Sequence, residues 1–313
     1  MTLPAIAIFT YNRPEKTRAV LEAIEAQNAH KVYIYCDGPK NDEKDRRLVQ
    51  KNLDVVNAFS IRHKIVKTTD KNKGLSASII DGITHGFMHE ERLIVLEDDC
   101  LPFPNMLQFM NDNLNYWENC KDIFSISAYH FMREPYRTSI PFDVFLSHRF
   151  LPWGWATWKG RWQAILDGLM EKKNPYGSFC HVPDTAGRDL RYHAYAVEKN
   201  MVNSWAIPLG LITLEKGFRH VMPRMPLVNN TGMDDTGTNT GSKHNRIIPV
   251  TEIPDYSFPL KMCPDNFHDD ALDSMFVDSM DVLLPPDWVK EKADRESEAI
   301  QEALRGKTDA CCG

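Results

Sequence analysis

Glu97-Asp98-Asp99 follows directly on the apolar run Leu93-Ile94-Val95-Leu96. Three carboxylates leaving a buried segment repel one another, so a divalent cation is a natural neutraliser, and hard Mg2+ or Mn2+ prefers such oxygen ligands. Taken alone, the acids also fit a solvated turn. Three further polar clusters close strand-like runs: Thr10-Tyr11-Asn12-Arg13, Asp37-Gly38 and Asp70-Lys71-Asn72-Lys73-Gly74. Each is rich in residues that favour turns for local reasons, but four at four strand ends point to one shared ligand site. Neither GxGxxG nor GxxxxGK[ST] is present, which disfavours dehydrogenases and P-loop enzymes.

The elements that must position these clusters are legible in the first half. Ala5–Thr10 is a β-type run, after which Asn12 can cap and Pro14 can open a helix to about Gln27. Strands are expected at Val32–Cys36, Ile61–Val66 and Arg92–Leu96, and helices at about Asp42–Val56 and Ser76–His89. The alternation predicts an α/β fold with a Rossmann-like, mostly parallel sheet covered by helices on both faces. Ligands of such sheets bind beyond the carboxyl ends of the strands, where the polar clusters stand. Past residue 125 the pattern loosens into short strands at Phe124–Ala128 and Asp143–Ser147, then an aromatic segment at Phe150–Trp162. A Pro-, Gly- and Asn-rich stretch over 172–270, helical near Asp189–Asn200, precedes a charged helix over 287–305.

Composition narrows the class. The chain has 313 residues, 42% hydrophobic and 26% charged, enough to bury a core without staples. A net charge of −6 leaves no electrostatic footprint for nucleic acid. No apolar run approaches the roughly 20 residues that span a bilayer, and the start lacks a basic leader, so a cytoplasmic location is expected. Seven cysteines without a CxxC pair fit reduced thiols. Cys311-Cys312-Gly313 reads as a tail rather than a lipidation site, since no CaaX pattern supports one.

The four clusters in this order resemble those of GT-A fold glycosyltransferases. More narrowly, the chain is similar to the N-acetylglucosaminyltransferase I group and its bacterial sugar-transferase relatives. Supporting motifs are the aromatic stretch Phe150-Leu151-Pro152-Trp153-Gly154-Trp155-Ala156-Thr157-Trp158, the segment Asn203-Ser204-Trp205-Ala206-Ile207, and the run Leu227–Asn239 containing Gly232 and Asp234. The likeness covers roughly residues 4–241. It implies a nucleotide-sugar-binding half over 1–125, an acceptor-binding half of the same GT-A unit over 126–286, and a terminal helix and tail over 287–313. It further implies a nucleotide-diphosphate sugar donor, most often uridine-linked, with Asp99 ligating Mn2+ or Mg2+. Glu97 and Asp98 would hold the ribose, the metal's waters or the donor sugar. Thr10, Tyr11, Asn12, Arg13 and Asp37 would contact base and ribose, and Asn72 and Lys73 would border the diphosphate. Gly154, Trp205 and Asp234 would contact substrate, and the acceptor would be a glycan or lipid-linked saccharide, which leaves room for peripheral membrane contact.

Large aromatic areas favour the core for most of Trp153, Trp155, Trp158 and Trp162. Pro152-Trp153-Gly154-Trp155 breaks periodicity, however, so a loop is expected there, with Trp153 and Trp155 stacking on a sugar. Two departures from the family pattern stand out. Asn203 occupies the place of the family's acid, and an amide cannot act as the general base of an inverting transfer. Asp189 and Glu198, on the preceding helical stretch, are the substitutes, with Asp189 preferred. Asn239 replaces a family His, for which His244 or His220 could compensate. The expected function is a metal-dependent, inverting glycosyltransferase. The alternatives are a degenerate nucleotide-sugar binder and a sugar nucleotidyltransferase, the latter disfavoured because no Gly- and Arg-rich triphosphate loop follows the first strand.

Overall fold

A computed structural model describes residues 3–132, 140–171, 174–233, 250 and 252–311. In chain order the elements are β1 (Ala5–Thr10), α1 (Pro14–Glu25), β2 (Lys31–Cys36), α2 (Glu43–Ala58), β3 (His63–Thr68), α3 (Leu75–Phe87), β4 (Arg92–Glu97), β5 (Cys100–Pro102), α4 (Met106–Tyr116) and β6 (Ile123–Ser127). There follow β7 (Val144–Ser147), β8 (Trp155–Trp158), α5 (Lys159–Glu171), α6 (Asp189–Glu198), α7 (Ala206–Glu215), β9 (Arg219–Pro223), β10 (Val228–Asn230), α8 (Asp270–Ser279) and α9 (Asp287–Cys311).

Eight strands form one sheet in the order β3-β2-β1-β4-β8-β6-β9-β7. β1 runs parallel to β2 and β4, β2 to β3, and β6 to β9, whereas β8 is antiparallel to both its neighbours and β7 to β9. The expected α/β architecture, a mainly parallel sheet flanked by helices, is therefore the one observed. The chain winds from β1 out to β3 and then returns to place β4 on the other side of β1. That reversal opens a crevice outside the carboxyl ends of β1 and β4, the standard ligand position of an open sheet. β1 is buried on both faces because its side chains alternate between two layers. Ile6 and Ile8 pack with Val20 and Leu21 of α1 and Val56 of α2, while Ala7 and Phe9 pack with Ile79 and Ile83 of α3.

Pro14 opens α1 as the sequence indicates, and Asp42 caps α2 by accepting from the Asp45 amide at 2.9 Å. The structure departs from expectation at the aromatic segment. Pro152, Trp153 and Gly154 form the expected loop, but Trp155 opens strand β8, inserted between β4 and β6 with every residue buried. Aromatic and β-branched residues suit such a site, and a strand buried on both faces loses the alternation that would announce it. Helix α7 (AIPLGLITLE) was hidden for a similar reason, being apolar nearly all round. In α4 the buried Asn111 and Asn113 interrupt the apolar stripe. The expected division at 125/126 falls inside β6. Among the described residues no helix is long and apolar enough to cross a membrane.

Candidate active site

A cleft of about 630 Å3 lies at the carboxyl ends of β1, β2 and β4. One wall is Thr10–Arg13 with Asp37 and Lys40, the floor is Glu97–Asp99, and the opposite wall carries Pro152, Trp153 and Asn203–Trp205. The strand ends, the N-terminus of α3 and the loop after β10, through Asn230 and Gly232, meet in this space.

The acids leave β4 in different directions. Asp98 is buried, its Oδ1 receiving Nη2 of Arg13 and its Oδ2 receiving the Tyr11 amide at 3.4 Å. Asp99 accepts Nη1 of Arg13 on Oδ2 at 2.8 Å. On Asp99 Oδ1 the Cys100 thiol lies at 3.7 Å. β10 pairs with β5 just beyond the floor, so that Thr231, directly after β10, donates its amide to the Asp99 carbonyl at 2.8 Å. A Cβ at Gly232 would sit 2.3 Å from Asp99 Oδ2, so only glycine fits that close approach. Burial, followed by the charges of Asp99 and Asp98, pushes the Glu97 carboxyl well above the carboxylate range, with Arg13 pulling the other way. Burial likewise raises Asp98, to about 6, against the pull of Arg13. One guanidinium thus does not balance three carboxylates.

Asp37 is committed to the wall's architecture. Its Oδ1 accepts the Gly38 and Lys73 amides at 2.9 Å and the Thr69 hydroxyl at 3.0 Å; its Oδ2 accepts Asn72 Nδ2 at 3.0 Å and the Gly74 amide at 3.1 Å. These bonds bind the end of β2 to the β3–α3 loop and aim the first turn of α3, without a side-chain cap, at the cleft. Asn72 therefore lines the cleft while serving Asp37. The Lys73 ammonium instead pairs with Asp81 at 2.8 Å, away from the lining.

Tyr11 and Asn12 are held from behind by Asp45 of α2, which sequence reasoning missed because an acid in a first helical turn reads as dipole compensation. Burial would raise the Asp45 carboxyl, but the hydrogen bonds from Tyr11, the Lys40 amide and Asn12 outweigh it and hold the group below the ordinary range. Thr10 receives Asn52 Nδ2 at 2.8 Å, and Asn52 Oδ1 receives Thr17 at 2.6 Å, a buried polar chain under the same wall.

On the far wall Trp153 packs edge-on against Tyr129 and Phe131, with ring centroids 4.7 and 5.1 Å away. Asn203 reaches across to the opposite side, its Oδ1 accepting from Ser76 at 3.1 Å. Trp205 borders the cleft with most of its ring buried against Phe150 and Trp155.

Several expectations are corrected. Asp189 is fully buried and outside the cleft, bound bidentately by Arg149 at 2.7 and 3.0 Å, so it has no path to an acceptor hydroxyl. Glu198, at the exposed end of α6, accepts from Asn174 at 2.6 Å and does not line the cleft either. Trp155 is 0% exposed within the aromatic cluster of Phe124, Phe150 and Trp162, so it offers no face to a sugar. Gly154, at φ +70°, turns the chain into β8 where a Cβ would meet Val228 at 2.9 Å; it serves packing rather than substrate. His220 is buried, with Nδ1 2.8 Å from the Ser125 hydroxyl, and burial pushes its pKa down to about 3, which leaves a neutral core residue and no ligand. Asp234, Asn239 and His244 lie outside the described residues.

Could the floor hold a divalent cation? The donors are hard oxygens that outnumber the single Arg13 guanidinium, which suits Mg2+ or Mn2+ in softness. Among the described residues no trio of His, Cys, Asp and Glu is disposed to hold a metal alone. The residues thus fit a cation that takes Asp99 from the protein and its other oxygens from ligand and water.

No protein-family model matches the chain, and no curated protein matches it. Solved structures with partial likeness include a mannosyltransferase from Pyrobaculum calidifontis in complex with GDP-Man and Mn2+, at 10% identity over 69% of this chain and 70% of that one, TM-score 0.39. A UDP-glucose pyrophosphorylase complexed with UDP-glucose gives 12% identity over 71% and 91%, TM-score 0.38. A 4-diphosphocytidyl-2C-methyl-D-erythritol synthase from Anaerococcus prevotii gives 7% over 55% and 79%, TM-score 0.33.

Proposed function

We propose that this chain is a GT-A-type glycosyltransferase that binds a nucleotide-diphosphate sugar in the cleft and transfers the sugar to a glycan or lipid-linked acceptor with inversion. The observation that carries the reading is the convergence of Thr10–Arg13, Asp37 and Glu97–Asp99 on one cleft at the sheet's switch point. Tyr11, Asn12 and Lys40 would receive the nucleoside, and the α3 N-terminus and Asn72 would border the diphosphate. Lys40 and Arg13 are the only Lys or Arg residues among the described lining, and Arg13 is engaged with acids. A dianionic diphosphate therefore fits this acidic floor only together with a counter-cation, for which Asp99 is the ligand. When bound, that cation would stabilise charge on the departing nucleoside diphosphate. Trp153 and Asn203 would face the acceptor side.

A second reading has its own support. Asn203 is an amide, Asp189 is sealed in an ion pair, and Glu198 lies off the cleft, so none of the three expected positions supplies a base. That favours a nucleotide-sugar binder without turnover. A nucleotidyltransferase is less well served, since its triphosphate calls for more cations than Arg13 and Lys40.

The test is a panel of UDP- and GDP-sugars with MnCl2, monitored for thermal shift and for release of nucleoside diphosphate. Stabilisation with release supports the transferase, and stabilisation without release the binder. A protein stabilised by none of them, at concentrations where about 2.7 kcal/mol of linkage is expected for 100-fold saturation, is neither. Asp99→Asn should abolish the Mn2+-dependent part of the shift while leaving the apo protein folded.

A further inference from the structure

We infer that Asp45, a residue that does not itself line the cleft, is the positioning residue for the nucleoside end of the site; this rests on the reading of the cleft as a nucleotide site. Three cleft groups depend on its one carboxylate. Tyr11 donates its hydroxyl to Oδ2 at 2.5 Å, the Lys40 amide donates to the same oxygen at 2.7 Å, and Asn12 Nδ2 donates to Oδ1 at 2.7 Å. Tyr11 and Asn12 come from the exit of β1 and Lys40 from the exit of the neighbouring β2, so Asp45 clamps the two loops together beyond the last strand pair, Thr10 with Cys36. The clamp also fixes chemistry. With its proton engaged by Asp45, Tyr11 presents its ring to the cleft, beneath the Lys40 ammonium at 5.8 Å from the centroid. With one Nδ2 hydrogen engaged, the Asn12 amide is fixed in orientation, with its carbonyl oxygen directed away from Asp45.

The helix is built for this task. Asn52, seven residues on and on the same face, donates its Nδ2 to the Thr10 hydroxyl, so α2 grips three successive residues of the wall through two side chains. Only a carboxylate serves at position 45, because it accepts on both oxygens and donates nothing. An amide would turn an NH2 toward at least one of the three donors.

Calorimetric titration with UDP and with GDP, each with MnCl2, tests the assignment on the full chain. Whichever nucleotide binds wild type is expected to bind Asp45→Asn roughly tenfold or more weakly, the scale of a lost hydrogen bond to a charged group. Asp45→Glu, which keeps two acceptor oxygens and no donor, should recover part of that loss. Val56→Ala removes a buried side chain from the far end of α2, away from the carboxylate clamp, and should lower Tm while leaving the affinity within twofold of wild type. Asp45→Ser carries the same expectation as Asp45→Asn should the latter not fold. Unchanged affinity in the Asp45 variants, or an equal loss in Val56→Ala, overturns the positioning role while the nucleotide site stands. Failure of wild type to bind either nucleotide overturns the reading of the cleft and the inference with it.

Discussion

Arg13 and Asp99 join the exit of β1 to the exit of β4 through a 2.8 Å ion pair, and the same guanidinium reaches the buried Asp98. Removing it leaves the acids facing one another. Arg13→Gln should lower Tm, and MnCl2 should raise the variant's Tm by more than it raises that of wild type, because the cation then meets the whole floor charge. Scanning fluorimetry with and without MnCl2 reads this directly. A variant indifferent to Mn2+ would count against a cation at the floor.

The two tryptophans flanking Gly154 should separate. Trp155→Ala empties a fully buried site and should cost about 3–5 kcal/mol in denaturant unfolding. Trp153→Ala, at the cleft, should cost clearly less stability and weaken acceptor binding instead. A comparable stability loss at both positions would make Trp153 a core residue.

Asp189→Asn should behave as a folding defect. Arg149 would keep the Ala186 carbonyl at 3.1 Å but lose its counter-charge in a buried site, a loss of about 3–5 kcal/mol. In whatever protein remains folded, nucleotide affinity should match wild type. A variant of normal Tm that had lost turnover alone would restore Asp189 to the chemistry.

His220 predicts part of the acid limb of stability. Its folded pKa, about 3, lies below the unfolded value near 6.5. Between those values the unfolded chain binds more protons, so stability rises with pH; the His220 contribution is complete above about pH 6.5 and is lost as pH falls toward 3. Asp98, raised to about 6, acts oppositely, its contribution being lost as pH rises from about 4 to 6. His220→Gln should therefore flatten the decline of Tm between pH 6.5 and 4. An unchanged acid limb would show that His220 is not the group responsible.

Much of the first half was determined by sequence alone. Strands ending in polar clusters and separated by amphipathic helices announce themselves through local periodicity, so β1, β2, β4 and the clusters at Thr10, Asp37 and Glu97 needed no tertiary information. Tertiary structure decided what each polar residue does, because a carboxylate's role depends on which donors reach it. Asp37 was consumed by five hydrogen bonds within its own wall, Asp189 was sealed by Arg149 from another part of the chain, and Asp45 was turned onto Tyr11 and Asn12 by the packing of α2. The aromatic segment shows the same limit in the core. Nothing in Trp155-Ala-Thr-Trp158 distinguishes a sugar platform from a central strand until β4 and β6 close on either side of it, since burial on both faces erases the alternation that marks a half-exposed strand.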